Sequence, residues 1–334
     1  MNRRQYLART GAAGTSVGLL TGLAGCIDDL SGSSDTNDGT DDEAGSRAGE
    51  RALDRAAGDL NKAAQALNEV GGLEDPDAVE FDPEAPRSHL ADAREHLETA
   101  ATELPEDRQG DIDTLRSYAD ALEGLVDVTA TVTDGGIADD IDAVTAAIES
   151  EGDLESASET VDDRYAEISD AHERWEEANA TIGDLDADTL EELTGVSVAE
   201  LEAGAAALGT VVASLETLAG AYAGTLDLED GYGALERGRK HSEKREYDAA
   251  QTEFETAEST FSNSQAELDT GMADAPEGLA GYFETAECQN RHLASAAESF
   301  AAAAADASDG NLSAAAAHRD EAEAALDRVG DCTA

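Results

Sequence analysis

Apolar residues recur at intervals of three and four along almost the whole chain after about residue 50, the spacing that places them on one face of an α-helix. No run alternates apolar and polar residues as a half-buried β-strand does. The sequence therefore predicts an all-α protein of antiparallel helical hairpins, arranged as a bundle or a short solenoid. The clearest stripes are Leu90, Leu97 and Leu104; Ile137, Ile141, Val144 and Ile148; Val161, Tyr165, Ile168, His172, Trp175 and Ile182; Leu201, Leu208, Val212, Leu215, Leu218 and Tyr222; and Tyr247, Phe254, Phe261 and Leu268.

Glycine, proline and aspartate fall between these stripes, where helices are expected to end. The longest break, residues 71–86, contains three prolines and is predicted to be the best internal boundary. We expect a helical bundle region over residues 50–226 and a helical hairpin region over 227–334. Residues 198–226 are rich in alanine and glycine, and acidic residues within them favour close helix packing over a membrane span. The shorter breaks are Gly71-Gly72, Pro105, Asp134-Gly135-Gly136, Gly183-Asp184, Gly231 and Asp309-Gly310-Asn311.

The first residues have the layout of a secretory signal, with a basic start followed by a short uncharged apolar run over residues 11–25. Arg3 and Arg4, followed closely by Tyr6 and Leu7, resemble a twin-arginine export signal. This run is shorter than the ~20 apolar residues of a membrane span. We therefore expect residues 1–25 to be a signal peptide.

The four residues ending at Cys26 resemble a lipobox, in which the cysteine becomes the first mature residue and carries a lipid. The resemblance implies a lipid anchor on Cys26 and a position at the extracellular face of the cell membrane; the alternative is an ordinary signal that contains a cysteine. Residues 26–49 are poor in apolar side chains and are predicted to form a disordered acidic tether.

Acidic residues number 76 against 21 basic ones, which gives a formal net charge of −55. Lysine occurs only at Lys62, Lys240 and Lys244. This composition resembles that of extreme halophiles, and together with the export signals it is similar to twin-arginine-exported lipoproteins of haloarchaea. Nucleic acid is excluded as a partner because phosphate binding needs a basic surface. Counter-ions at high salt are expected to screen the charge.

Gly238, Tyr247, Ala250, Phe254 and Ala257 have the spacing of small and large residues found in tetratricopeptide repeats. The resemblance covers about the C-terminal third of the chain and implies a protein-binding scaffold. It departs from the repeat in lacking the opening tryptophan, the closing proline and the 34-residue period. A helix bundle with the same spacing is the alternative. Partial echoes occur at Gly310-Asn311-Leu312, Ala315 and Ala322, and at Gly152-Asp153-Leu154, Ala157 and Val161.

Cys288 and Cys332 lie equally far from Gly310 along the chain. If Gly310 is the turn of an antiparallel hairpin, both cysteines lie about 33 Å from it and therefore side by side. Outside the cell a disulfide is favoured. Two free thiols and metal ligation are the alternatives.

No catalytic, cofactor or metal motif is recognisable, and carboxylates are too abundant to indicate catalysis. His172 lies on an apolar stripe and is predicted to be a core histidine. One local anomaly is a basic run in an acidic chain, interpreted either as internal pairing with carboxylates or as a docking patch for an acidic partner or an anionic membrane. Its basic residues are Arg237, Arg239, Lys240, His241, Lys244 and Arg245.

The leading hypothesis is a non-enzymatic, lipid-anchored scaffold that binds a protein partner at the cell surface without a cofactor. The alternative is a ligand-binding lipoprotein accessory to a transporter, although such proteins usually contain strands. An enzyme with an unrecognised helical site is a third class.

The charge predicts that folding depends on salt. The Debye length falls from ~10 Å at 0.1 M to ~3 Å at 1 M, so carboxylates repel one another far less in brine. Circular dichroism at decreasing salt should show progressive loss of helix. A spectrum unchanged from molar to millimolar salt would contradict this prediction.

Overall fold

The computed structural model describes residues 41–70, 79–150 and 153–332. Arg3, Arg4, Cys26 and the predicted signal peptide lie outside these residues. Within them the chain forms α-helices and two short 3-10 helices but no β-strand, which confirms the all-α class. The helices are α1 (Asp41–Asn68), α2 (Glu84–Glu103), α3 (Gln109–Val132), α4 (Gly136–Ser150), α5 (Leu154–Gly183), α6 (Ala187–Thr194), α7 (Val198–Leu226), α8 (Tyr232–Glu243), α9 (Tyr247–Met272), α10 (Ala280–Ser308) and α11 (Leu312–Val329).

The predicted breaks that lie within the described residues fall at helix ends. Leu104 ends α2 in an extended conformation (φ −91°, ψ 147°) because Pro105 disfavours a helical residue before it. Gly310 has a φ of +80° and forms the turn between α10 and α11. Gly195 ends α6 in the same left-handed region, with a φ of +73°.

The predicted tether is too long. Helix α1 begins at Asp41, so residues 41–49 are helical rather than disordered. Gly49 is buried against the Leu104 side chain, and a Cβ at Gly49 would lie 2.6 Å from the Leu104 Cγ. Arg108 also binds Glu50, with 2.7 Å between Nη1 and Oε1. Because Gly49 has no side chain, α1 can pack closely against the end of α2. The polar composition of this segment does not predict that contact.

The break at residues 71–86 does not separate domains. Helices α1 and α2, on either side of it, pack against each other along their lengths. Leu53 and Leu60 of α1 and Leu90 and Leu97 of α2 are all buried in the same core. The prolines therefore lie in the connection of a helical hairpin, because the apolar stripes of α1 and α2 pack against each other.

Helix α7 is the central element of the fold. It packs against α3 and α5 on one side and against α9 and α10 on the other. It is also the one helix in the described part of the chain that is long and apolar enough to cross a membrane. Its long side chains, from Leu201 to Leu226, are buried within the protein, so its apolar character is accounted for by helix packing.

One hydrophobic core runs through both predicted regions. It extends from Ala52 in α1 to Val329 in α11. The predicted division at residues 226 and 227 coincides with the end of α7, yet α9 packs on α7 across it. The two regions are therefore continuous in their packing.

Helices α8 and α9 form the hairpin expected from the small and large residues around Gly238. Gly238 is buried beneath the Phe254 ring, where a Cβ would lie 2.6 Å from Cδ1. Phe254 stacks on Phe300 of α10, with 5.1 Å between ring centroids. Helix α9 has 26 residues, whereas a 34-residue repeat leaves about 15 for each helix. Helices α8 and α9 thus make the expected hairpin contact, but α9 is longer than a helix of that repeat.

We predict that Gly238→Ala destabilises the protein by ~1–2 kcal/mol, because the new methyl group overlaps a buried ring that has no room to move. Thermal unfolding in brine measures the change. Gly58→Ala is the matched control, because nothing lies within 4 Å of a Cβ there. In a helix interior that substitution should stabilise by ~0.5–1 kcal/mol. Equal effects of the two substitutions would contradict close packing at Gly238.

Candidate functional site

A long groove runs over the outward face of α7, between α5 and α9. Its floor consists of small residues spaced three and four apart on α7: Ala206, Thr210, Ala213, Thr217 and Gly220. These residues share one helix face because 3.6 residues complete a turn. Both neighbouring helices pack on α7 and leave this face open between them.

The floor is less polar than its sequence indicates. Thr210 Oγ1 donates to the Ala206 carbonyl oxygen at 3.2 Å, and Thr217 Oγ1 donates to that of Ala213 at 2.9 Å. These bonds to the preceding turn satisfy the hydroxyl donors within α7. The groove therefore presents methyl groups and backbone along much of its base.

Two aromatic residues of α5 form one wall. The Trp175 ring lies directly over Gly209, and its Nε1 donates to the Ala205 carbonyl oxygen at 2.6 Å. The Tyr165 ring lies over Gly220, 3.3 Å from the position of a Cβ there. Glycine is needed at position 209 because a Cβ there would overlap the Trp175 ring, whereas a Cβ at position 220 would be in tight contact with the Tyr165 ring. The two aromatic residues thus stand towards opposite ends of the groove.

Helix α9 forms the other wall with exposed polar side chains. Asn263, Glu267 and Thr270 face the groove, and Asp274 follows beyond the helix end. With Glu216 of α7, which contacts His172, three carboxylates and no lysine or arginine line the groove. Its electrostatic character is therefore negative along an apolar floor.

His172 is not a core histidine, and this prediction was wrong. Its side chain is about one-quarter exposed, and Nδ1 contacts a carboxylate oxygen of Glu216 on α7. Its ring also lies 5.6 Å from that of Trp175. Tyr165 of the same stripe is 40% exposed. The stripe does form one face of α5, as predicted, but part of that face borders the groove.

The groove has a volume of about 1140 Å³ and is open to solvent along its length. By contrast, two small apolar cavities have volumes of about 50 and 30 Å³. The first lies between α1, α3 and α7, and the second between α4, α5 and α7. Ligand pockets usually have volumes of ~300–1,000 Å³, so neither cavity holds more than a few water-sized molecules.

The basic run is largely paired within the protein. Arg237 binds Glu253 of α9, with 2.8 Å between Nη2 and Oε2, and also donates to the Leu228 carbonyl oxygen. Lys240 lies 3.7 Å from Glu236. His241 lies 2.6 Å from Glu246. These contacts match the internal-pairing interpretation.

The remaining residues of the run differ in their surroundings. Arg239 binds Glu236 at 3.2 Å, and its guanidinium lies 5.6 Å from the centre of the Phe300 ring. Lys244 and Arg245 are exposed at the turn into α9, where Arg245 has a φ of +61°. Docking of an acidic partner here stays a prediction.

Cys288 and Cys332 lie at disulfide distance, with 5.7 Å between their Cα atoms. This pairing confirms the hairpin geometry predicted from Gly310. Among the described residues, these cysteines and His292 also form a group that could hold a metal ion, because their ligand atoms lie within 4.8 Å of one another. His292 was not singled out by the sequence, although it follows Cys288 by one helical turn.

No protein-family model, curated protein or solved structure matches this chain.

Proposed function

We propose that this protein is a non-enzymatic scaffold, lipid-anchored through Cys26 at the extracellular face of the membrane, whose groove over α7 binds an α-helix of a partner protein. The open groove of about 1140 Å³ carries the proposal. An amphipathic helix in a groove is a recurrent mode of peptide recognition.

The floor has the dimensions of a helix-binding surface. Ala206 and Gly220 are separated by fourteen positions, which corresponds to ~21 Å or four helical turns. Helix axes approach to ~8–10 Å, and small side chains at the contact favour the short end of that range. A helix on this floor would contact α5 and α9 at its sides, as one more member of a helical bundle.

The walls specify the character of the partner helix. Tyr165 and Trp175 offer aromatic surface to apolar side chains near its two ends. Glu267 and Asp274 favour lysine or arginine on its flanks, because complementary charge steers association and fixes register. A second copy of this chain is disfavoured, since each copy carries a formal net charge of −55.

The shape of the cavities favours a helix over a small ligand. A metabolite is normally enclosed over most of its surface, and the two small apolar cavities beside α7, of about 50 and 30 Å³, are far too small for one. The alternative of a ligand-binding lipoprotein accessory to a transporter would have to use the open groove itself. The peptide titration described next discriminates these two functions, because binding of a small ligand does not require a helix.

Trp175 is the only tryptophan in the chain, so its fluorescence reports directly on the groove. We predict that a synthetic helix of about 18 residues, with an alanine and leucine face and lysine flanks, changes this fluorescence saturably in brine. A peptide with glutamate flanks should bind much more weakly. No response to the lysine peptide, or equal binding of both peptides, would contradict the proposal.

A floor substitution provides the matched test. Ala213→Phe fills the middle of the groove and should weaken peptide binding at least about tenfold, as expected from loss of one well-packed anchor. Ala180→Phe adds the same ring to an exposed position of α5 outside the groove and should leave binding unchanged. Circular dichroism checks that both variants fold. Equal affinities of the two variants would place the binding elsewhere.

The anchor is tested separately. Cys26→Ser removes the sulfur that would carry the lipid, and we predict that the variant is released from washed membranes into the soluble fraction. Ser31→Ala, a nearby change without that role, should remain in the membrane fraction. A Cys26→Ser protein that stays in the membrane until detergent is added would refute lipid attachment at this residue.

A further inference from the structure

The apolar packing of α11 against the core is confined to the half of the helix near the open end of its hairpin with α10. Helix α11 has only three buried side chains among its described residues, those of Ala322, Ala325 and Val329. The link between Cys288 and Cys332 closes this end opposite the turn at Gly310. Loss of the link would leave α11 attached by these three side chains and by the partly buried Leu326.

A histidine accompanies the two cysteines. His292 follows Cys288 by four residues on α10, so the two side chains share one helix face. Cys332 approaches from the turn after α11, and the three ligand atoms lie within 4.8 Å of one another. Cys332 is buried and the other two residues are half-buried. In a tetrahedral zinc site with Zn–S distances of ~2.3 Å, ligand atoms lie roughly 3.5–4 Å apart.

The chemistry of this group suits a soft divalent cation. Two thiolates and one imidazole are ligands that Zn²⁺ prefers over the carboxylates that dominate this protein. Burial, together with the positive charges of Arg291 and Arg328, lowers the pKa of His292. A water molecule can complete the fourth position.

We propose that Cys288, His292 and Cys332 bind one Zn²⁺ ion when the cysteines are reduced, so that metal and disulfide are alternative closures of the same hairpin. Reduction by a dithiol breaks the S–S bond with two electrons and two protons, and the dithiol becomes a disulfide. Zn²⁺ then displaces both thiol protons. Reoxidation of the thiolates by a disulfide reverses these steps and releases the ion. The site is independent of the groove over α7.

The experiment uses the full chain with Cys26→Ser, so that Cys288 and Cys332 are the only cysteines left. Mass spectrometry after alkylation, with and without a phosphine reductant, establishes the oxidised and reduced samples. Each sample is titrated in brine with Co²⁺, whose bonds to thiolates give a charge-transfer absorption that carboxylates do not, and then with Zn²⁺. We expect one equivalent bound by the reduced protein, displacement of Co²⁺ by Zn²⁺, and no thiolate absorption from the oxidised protein.

Two histidine variants decide the ligand set. His292→Gln should weaken metal binding by more than about tenfold, since even loss of an outer-shell partner costs 10–100-fold. His318→Gln changes a histidine of α11 that pairs with Asp306 and Glu321, and it should bind like the parent. Circular dichroism with and without Zn²⁺ follows the helices of the reduced chain. No thiolate absorption in the reduced parent, or an unchanged affinity in His292→Gln, would overturn the site.

Discussion

The close approach of α5 to α7 is the contact on which the rest of the structure depends. It is possible because Gly209 lies under the Trp175 ring, where a side chain would overlap that ring. With α5 held in this way on one side and α9 on the other, α7 buries its large residues inward and keeps its small residues outward. The core and the groove are therefore two faces of the same helix.

The fold could be predicted further from the sequence than the site could. Helical spacing and the breaks at Pro105 and Gly310 indicated an all-α hairpin architecture, because both features act locally. The start of α1 at Asp41 was missed, since its packing depends on Gly49 meeting the distant Leu104. Composition alone gives no signal for such a contact.

The groove was missed for a related reason. Residues 198–226 were correctly expected to pack closely, but apolar spacing does not show which face of a helix lacks a neighbour. His172 and Tyr165 were predicted to lie on a core stripe, whereas Tyr165 lines the groove and His172 is partly exposed against Glu216. A second stripe of small residues on α7, from Ala206 to Gly220, was the available signal. Its meaning depends on where α5 and α9 lie, and that is decided by tertiary packing.

The net charge of the protein bears on which partners it can bind. A formal net charge of −55 opposes self-association, and in the proposed function it favours a helix with basic flanks. At high salt only contacts within a few ångströms retain their attraction, because screening removes longer-range forces. Recognition in brine therefore requires a close-fitting groove as well as opposite charge.

Photo-crosslinking in intact cells, with benzoylphenylalanine at Thr210 on the groove floor or at Ala180 outside it, tests this account most directly. A helical, basic-flanked segment of one partner protein crosslinked from Thr210 alone is the predicted result; no adduct, or the same adducts from both positions, would contradict it.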